Sequence, residues 1–442
     1  MKKIYRDAIV VGFALFSMFF GAGNLIFPSQ LGFIAGTAWY KALIGFMLTG
    51  IGLPLLGIIV TIKSGGTIET LGSYIGNKVS MILGIFITIA IGPLLAMPRV
   101  AALTHEMGVL PIFPKTSPYL SSGVFFLMTL FFVLRPSKVI DHIGKWLTPV
   151  LLLTLACIIF KGIFFPFSTA KKVPGSGFFV TGALEGYQTM DALASIIFAT
   201  IAIKGIEAKG YHSIEEKTKL ISFSALVAGL GLVFVYGGLG YLGSLASGSY
   251  PQNWSRTEIL IHIVNDIWGT AGKFALSIAV SFACLTTSIG LAATAGDFFH
   301  RISEGKLSYV LTVIAICVFS GFFAVKGVEN IIIFAVPILS ILYPIIIIVV
   351  VMRLFDSHIR YKSVYKGAVL GALITSLLVT FLSYWETIAS TFKVSKDALS
   401  FLGIEKLISH IPFYRHGFSW LIPSLVTALF FFGFEYRREK LK

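Results

Sequence analysis

The sequence predicts an all-α integral membrane protein of about twelve transmembrane helices. Composition is the first reason: 56% of the 442 residues are hydrophobic and only 12% charged, whereas a soluble domain is about half apolar and about a quarter charged. The mean hydropathy is +0.89. The 40 Phe, 44 Gly and 16 Pro are the second reason, because membrane helices tolerate Gly and Pro that soluble helices avoid. The third is the spacing of apolar runs, most of them near or above the roughly 18-residue length of a spanning helix. A soluble enzyme is not compatible with this composition.

The runs lie at residues 7–35, 39–62, 79–104, 119–134, 146–166 and 184–206, then at 221–247, 274–299, 307–325, 331–352, 367–385 and 418–434. The fourth and the last are short. Met1 to Arg6 followed by an apolar run imitates a secretory signal. Apolar character continues to Ile34, however, with Gly21, Ala22 and Gly23 in the middle of the run, so an uncleaved first helix is expected. Twelve spans put both termini on one side of the membrane. Lys and Arg are more numerous in the loops on that side, which the positive-inside rule assigns to the cytoplasm.

The net charge of +15 is spread in short clusters between apolar runs. Attraction to acidic lipid headgroups accounts for it, and nucleic acid is not implied. Cys157, Cys284 and Cys317 lie inside apolar runs, where they pack as small hydrophobes without metal-ligand spacing. The longest loop, Glu386 to Gly417, holds at most one or two short amphipathic pieces. Residues 1–442 therefore read as a single membrane domain, and function must reside within it.

Inside the first span stands Phe19-Phe20-Gly21-Ala22-Gly23-Asn24-Leu25-Ile26-Phe27-Pro28. Two Gly, an Asn and a Pro make a poor continuous helix, and unwound backbone survives at membrane depth only where it is buried in protein or lines a cavity. The N–H groups opening a second half-helix would face an anion such as a carboxylate. The freed carbonyls and the Asn24 amide would suit a cation. A close helix-packing site built from small residues is the plainer reading.

The sixth span contains a second polar interruption, Glu185-Gly186-Tyr187-Gln188-Thr189-Met190-Asp191. Interrupted helices at corresponding places in two halves point to a transporter with inverted repeats, here two five-helix units. A spacing of four sets Tyr187, Asp191 and Ser195 on one helix face. Asp191 is then a cation ligand, a proton carrier or a gate partner, or else a structural carboxylate paired with a basic residue or capping the second half-helix.

The eighth span carries Thr286-Thr287-Ser288, whose hydroxyls suit a hard cation or simply bond back to the preceding turn. In the third span Gly92, Pro93 and Pro98 accompany Arg99, and Glu106 follows seven residues later on roughly the same face. The two read as an external gate, or Arg99 as a residue snorkelling to the interface. Pro337 and Pro344 read as kinks. No H-E-x-x-H, Gly-x-Ser-x-Gly or paired intramembrane Asp suggests a membrane enzyme, and no pore-loop repeat suggests a channel.

With "FFGAGNLIFPSQLG", "GPLLAMPR", "EGYQTMDALASIIF", "ACLTTSIGL" and "VPILSILYP" in this order, the chain resembles the branched-chain amino acid:cation symporter family of bacteria. It departs from the family pattern at Ser29 and Val100. The resemblance implies a LeuT-type fold of five plus five inverted-repeat helices, with helices 1 and 6 discontinuous. The repeat units would fall at residues 7–166 and 184–352, and two further helices at 367–434. It implies import of leucine, isoleucine and valine with sodium by alternating access, at the bacterial plasma membrane, without a cofactor beyond the coupling ion. Substrate binding is implied for Gly21, Ala22, Gly23 and Asn24, the glycines approaching the carboxylate, and for Tyr187, Gln188 and Thr189 around the ammonium or side chain. A cation is implied between the first and eighth helices, on the carbonyls of Ser17 and Phe20 and the hydroxyls of Thr287 and Ser288. Asp191, Arg99 and Glu106 are left for coupling or gating. The alternative reading is a proton-coupled transporter of another neutral amino acid or a nucleobase.

Overall fold

The computed structural model describes residues 2–21, 23–134, 138–385 and 410–441. Among the described residues there is no β-strand; Gly36 and Lys172 form one isolated antiparallel bridge. The principal helices are α1 (Lys2–Phe19), α2 (Gly23–Ala35), α3 (Trp39–Lys63), α4 (Asn77–Val109), α5 (Pro118–Val133), α6 (Lys138–Phe164) and α7 (Phe178–Tyr187). They continue as α8 (Asp191–Glu207), α9 (Ile214–Ala246), α10 (Arg256–Ile302), α11 (Tyr309–Ala324), α12 (Val328–Leu354), α13 (Ser363–Ser383) and α14 (Leu421–Lys440). Every apolar run in the sequence falls on one of these helices or on a pair of them. Among the described residues, six are long and apolar enough to cross a membrane, and eight spans result when the pairs α1–α2 and α7–α8 each count as one. The loop Glu386 to Gly417 lies mostly outside the described residues.

Local chemistry sets the helix ends. Ser213 and Ser255 cap α9 and α10, each with a Glu three residues on that bonds back to the cap, and Ser117 caps α5 ahead of Pro118. Helix α10 departs from the sequence reading, which begins its apolar run at residue 274. Gly269, at φ +63° and ψ −153°, interrupts it, and the turns before Gly269 form a polar, amphipathic helix that a search for long apolar runs passes over. Helix α4 is likewise interrupted at Gly92, next to Pro93.

The backbone divides into two compact units, Met1–Lys63 with Ile85–Ala335, and Ser64–Gly84 with Val336–Lys442. In the first, glycines let helix backbones touch, the usual way membrane helices associate without a hydrophobic driving force. A Cβ on Gly32 of α2 would stand 1.9 Å from Gly240 O of α9, and one on Gly243 of α9 would stand 2.0 Å from Ser29 O. Helices α3 and α7 meet the same way, with Gly45 against Phe179 O and Gly182 against Ala42 O. In the second unit Gly367 and Gly371 of α13 lie against Thr427 O and Pro423 O of α14. There too the Arg353 guanidinium lies over the Tyr74 ring at 4.2 Å and bonds Asp356 and Thr70 O.

Candidate functional site

The two helix breaks meet. Helix α1 ends at Phe19 and α2 begins at Gly23; α7 ends at Tyr187 and α8 begins at Asp191, with a 40° bend between the latter two. Gly21 N–H donates to Phe19 O at 3.0 Å and Asn24 N–H to Gly21 O at 2.9 Å, so the first connection is a tight turn. The second turns through Met190, which holds φ +63° and ψ 7° although it is not glycine and is only 1% exposed. A left-handed methionine costs about 1 to 3 kcal/mol and persists where its surroundings enforce it.

Asn24 ties the two breaks together. Its Nδ2 lies 2.6 Å from Phe19 O, 2.6 Å from Asp191 Oδ2 and 2.8 Å from the Tyr236 hydroxyl of α9. It thereby caps the carbonyl end of α1 and holds the carboxylate of α8. Asp191 is the first residue of α8, where the helix dipole favours a negative charge. Arg99 of α4 does the complementary work at the carbonyl end of α7, donating through Nη1 to Gln188 O and through Nη2 to Thr189 O. Arg99 is 3% exposed, and its guanidinium lies over Phe27 of α2 at 5.5 Å.

Around this junction lies a narrow cavity of about 40 Å³. Gly21, Gly23, Asn24, Arg99, Thr189, Asp191 and Thr287 line it, from α2, α4, α8, α10 and the two connections. Gly21 faces α10: a Cβ there would stand 3.5 Å from Thr287 Oγ1.

Other residues singled out in the sequence are distributed differently. Ala22 lies outside the described residues. Tyr187 and Gln188 are buried beside the cavity without lining it. Ser17, Phe20 and Ser288 are also outside its wall. Thr286 and Thr287 both donate to Ala283 O, and Ser288 accepts from Thr129 of α5 at 3.2 Å. The shared face of Tyr187, Asp191 and Ser195 does not form, because left-handed Met190 breaks the helical period between the first two.

The expected Arg99–Glu106 gate is not formed, nor does Arg99 snorkel, since Arg99 is buried against the α7 carbonyls. Glu106 instead accepts from Thr257 Oγ1 at 2.8 Å and from the N–H of Val328 at 2.9 Å. The ionic cluster nearby belongs to Arg256, which pairs with Glu185 at 3.0 Å and Glu329 at 2.5 Å and lies over the Phe27 ring, the one Arg99 also faces, at 5.8 Å. Sequence reasoning missed Arg256, Tyr236 and the strained Met190. Tyr236, a hydroxyl inside an apolar run, was the one with a visible signal.

All-helical among the described residues, with the α1–α2 and α7–α8 turns meeting at a cavity, the chain shares its fold with solved transporters of the LeuT type. Solved structures with this fold include the inward-facing conformation of Mhp1, with a TM-score of 0.57 and 13% identity over 98% of this chain and 91% of that one. MhsT in complex with L-phenylalanine superposes with a TM-score of 0.53 and 15% identity, covering 96% of this chain and 97% of that one. The chain belongs to the branched-chain amino acid transport protein family, whose model matches residues 4–436. It is 34% identical to the branched-chain amino acid permease BraB of Bacillus subtilis, over 96% of this chain and 94% of the relative. A carrier of Staphylococcus epidermidis with a similar designation is 38% identical over 81% of this chain and 84% of its own length. The protein is thus a multi-pass membrane transporter and not an enzyme.

Proposed function

We propose that the protein imports leucine, isoleucine and valine together with sodium across the bacterial plasma membrane, by alternating access, with both termini cytoplasmic. The observation that carries this reading is the cavity at which both helix breaks converge, lined by Gly21, Gly23, Asn24, Thr189 and Thr287. In this reading α1 with α2 and α7 with α8 are the discontinuous first and sixth of twelve spans, the opening helices of two inverted five-helix repeats, with two helices added at the end.

The N–H groups opening α2 bind the substrate carboxylate. Thr287, whose proton is engaged by Ala283 O, offers its oxygen lone pairs to sodium between α1 and α10, with carbonyls of Ser17 and Phe20. Ser288 serves this site only by giving up its bond from Thr129. One cation entering at a membrane potential of ~100 mV supplies about 2.3 kcal/mol, enough for roughly fiftyfold accumulation under tight coupling. A methylene in an apolar pocket discriminates by only about 1 to 3 kcal/mol, so leucine, isoleucine and valine compete with one another.

The test is radiolabelled leucine uptake into proteoliposomes under an inward sodium gradient, against an equal choline gradient at fixed pH and voltage. Accumulation only with sodium supports the reading. Equal uptake under both salts removes sodium and leaves protons or facilitated diffusion, with the Asp191 carboxylate in the cavity wall as the group to test for protons. Absence of uptake for all three amino acids overturns the substrate assignment.

A further inference from the structure

The cavity wall carries one cationic and one anionic side chain, both deeply buried: Arg99 is 3% exposed and Asp191 7%. They come from different helices and are held by different partners. Arg99 is fixed by the Gln188 and Thr189 carbonyls, Asp191 by Asn24 Nδ2. The guanidinium also abuts the start of α2, since a Cβ on Gly23 would stand 3.1 Å from Nη2 and 3.2 Å from Nε. A carboxylate seated against the first N–H groups of α2 would therefore touch Arg99.

We infer that Arg99 and Asp191 form a two-charge clamp for the α-amino-acid zwitterion, Arg99 taking the carboxylate and Asp191 the ammonium. This deepens the transport reading above and rests on it for the branched side chain, but the clamp itself recognises only the zwitterionic end. The electrostatic logic is one of neutrality. With one positive and one negative side chain in the wall, a zwitterion enters without adding net charge to the site. An amine without a carboxylate, or an acid without an ammonium, brings an unmatched charge into a low-dielectric site. Sites built to bind a polar group reject analogues lacking it far more strongly than apolar pockets reject a missing methylene. The branched side chain is left to the apolar wall of Ile91, Val100, Phe198 and Leu291.

The experiment is ligand-induced thermal stabilisation of the purified full chain, read as apparent affinity, with leucine, leucinol and 4-methylpentanoate. Leucinol keeps the ammonium and lacks the carboxylate; 4-methylpentanoate keeps the carboxylate and lacks the ammonium. In the unmodified protein both analogues bind at least about 100-fold more weakly than leucine. Arg99→Gln narrows the leucine-to-leucinol ratio at least about tenfold and leaves the leucine-to-4-methylpentanoate ratio wide, and Asp191→Asn does the reverse. A merely structural role moves all three ligands by one common factor, and that result overturns the clamp. Should Arg99→Gln fold poorly, Arg99→Lys retains the charge without the planar fork; it preserves the rejection of leucinol, and losing that rejection refutes the assignment. Extending the ligands to all neutral α-amino acids separates the two claims. Binding of an unbranched amino acid with the same crossed pattern refutes the branched-chain reading and leaves the clamp standing, whereas binding of none refutes both.

Discussion

Replacing Asn24 by Leu keeps the branched shape of the side chain and removes its amide. Three buried oxygens lie within 2.8 Å of Nδ2, those of Phe19, Asp191 and Tyr236. An amide nitrogen has two hydrogens, so two full bonds are the most it can supply at once. One goes to a carboxylate, and such charge-assisted bonds contribute about 1.5 to 3 kcal/mol, against about 1 for a neutral one. The expected loss is therefore about 2.5 to 4 kcal/mol, nearly all at the junction of the two breaks. Hydrogen bonds between membrane helices average only about 0.6 kcal/mol in double-mutant cycles, which sets the threshold for the test. A cycle of Asn24→Leu with Asp191→Asn, followed by unfolding in mixed detergent and dodecyl sulfate, gives a coupling energy of at least about 1.5 kcal/mol if the pair is charge-assisted. A coupling near or below the average would show that Asn24 and Asp191 are neighbours without being the tie between the helix breaks.

Gly32→Ala places a methyl 1.9 Å from Gly240 O and forces α2 away from α9, whereas Gly123→Ala meets nothing within 4 Å. The first loses about 1 to 3 kcal/mol and elutes as a broadened peak on size exclusion; the second elutes unchanged. Thr287→Val removes the cavity hydroxyl while conserving shape, and half-maximal sodium for leucine uptake rises at least about tenfold, a loss of roughly 1.4 kcal/mol of cation binding. Arg256→Gln breaks two ion pairs at once, and a cysteine replacing Phe27 in a cysteine-free background then reacts with a thiosulfonate reagent at least about tenfold faster. An unchanged reaction rate would mean that the Arg256 cluster does not restrict access to position 27.

The breaks themselves were legible because their residues conflict with continuous helix. Gly21, Gly23 and Asn24 carry that conflict between α1 and α2, and the polar run from Glu185 to Asp191 carries it between α7 and α8. Helix positions were legible because apolar length dominates in a bilayer. What remained hidden depends on contacts between residues far apart in sequence. Nothing local indicates that Asn24 reaches Asp191, or that Arg99 turns to the carbonyls of Gln188 and Thr189 instead of to Glu106. Met190 is hidden for another reason: methionine has no left-handed preference, so its conformation is imposed by the packing of α7 and α8. The helix preceding Gly269 escaped because its alternating polar and apolar residues never reach spanning length.

Helix α9 is in close contact with both halves of the first broken span. Gly12 of α1 sits against Val227 and the Ser224 carbonyl, where a Cβ would come within 2.7 and 2.9 Å. Gly32 of α2 sits against Gly240. A swing of α1 relative to α2 therefore loads α9 like a splint bound at two points. Between those points lies the pair Gly237 and Gly238, the stretch of α9 with least side chain to stiffen it. In the proposed alternating-access cycle a swing of α1 against α2 and a flexing of α9 at this pair are one movement shared by two helices, and Gly237→Ala, whose added methyl meets only Met47 Cε at 3.9 Å, is expected to slow leucine uptake without touching any residue of the cavity wall.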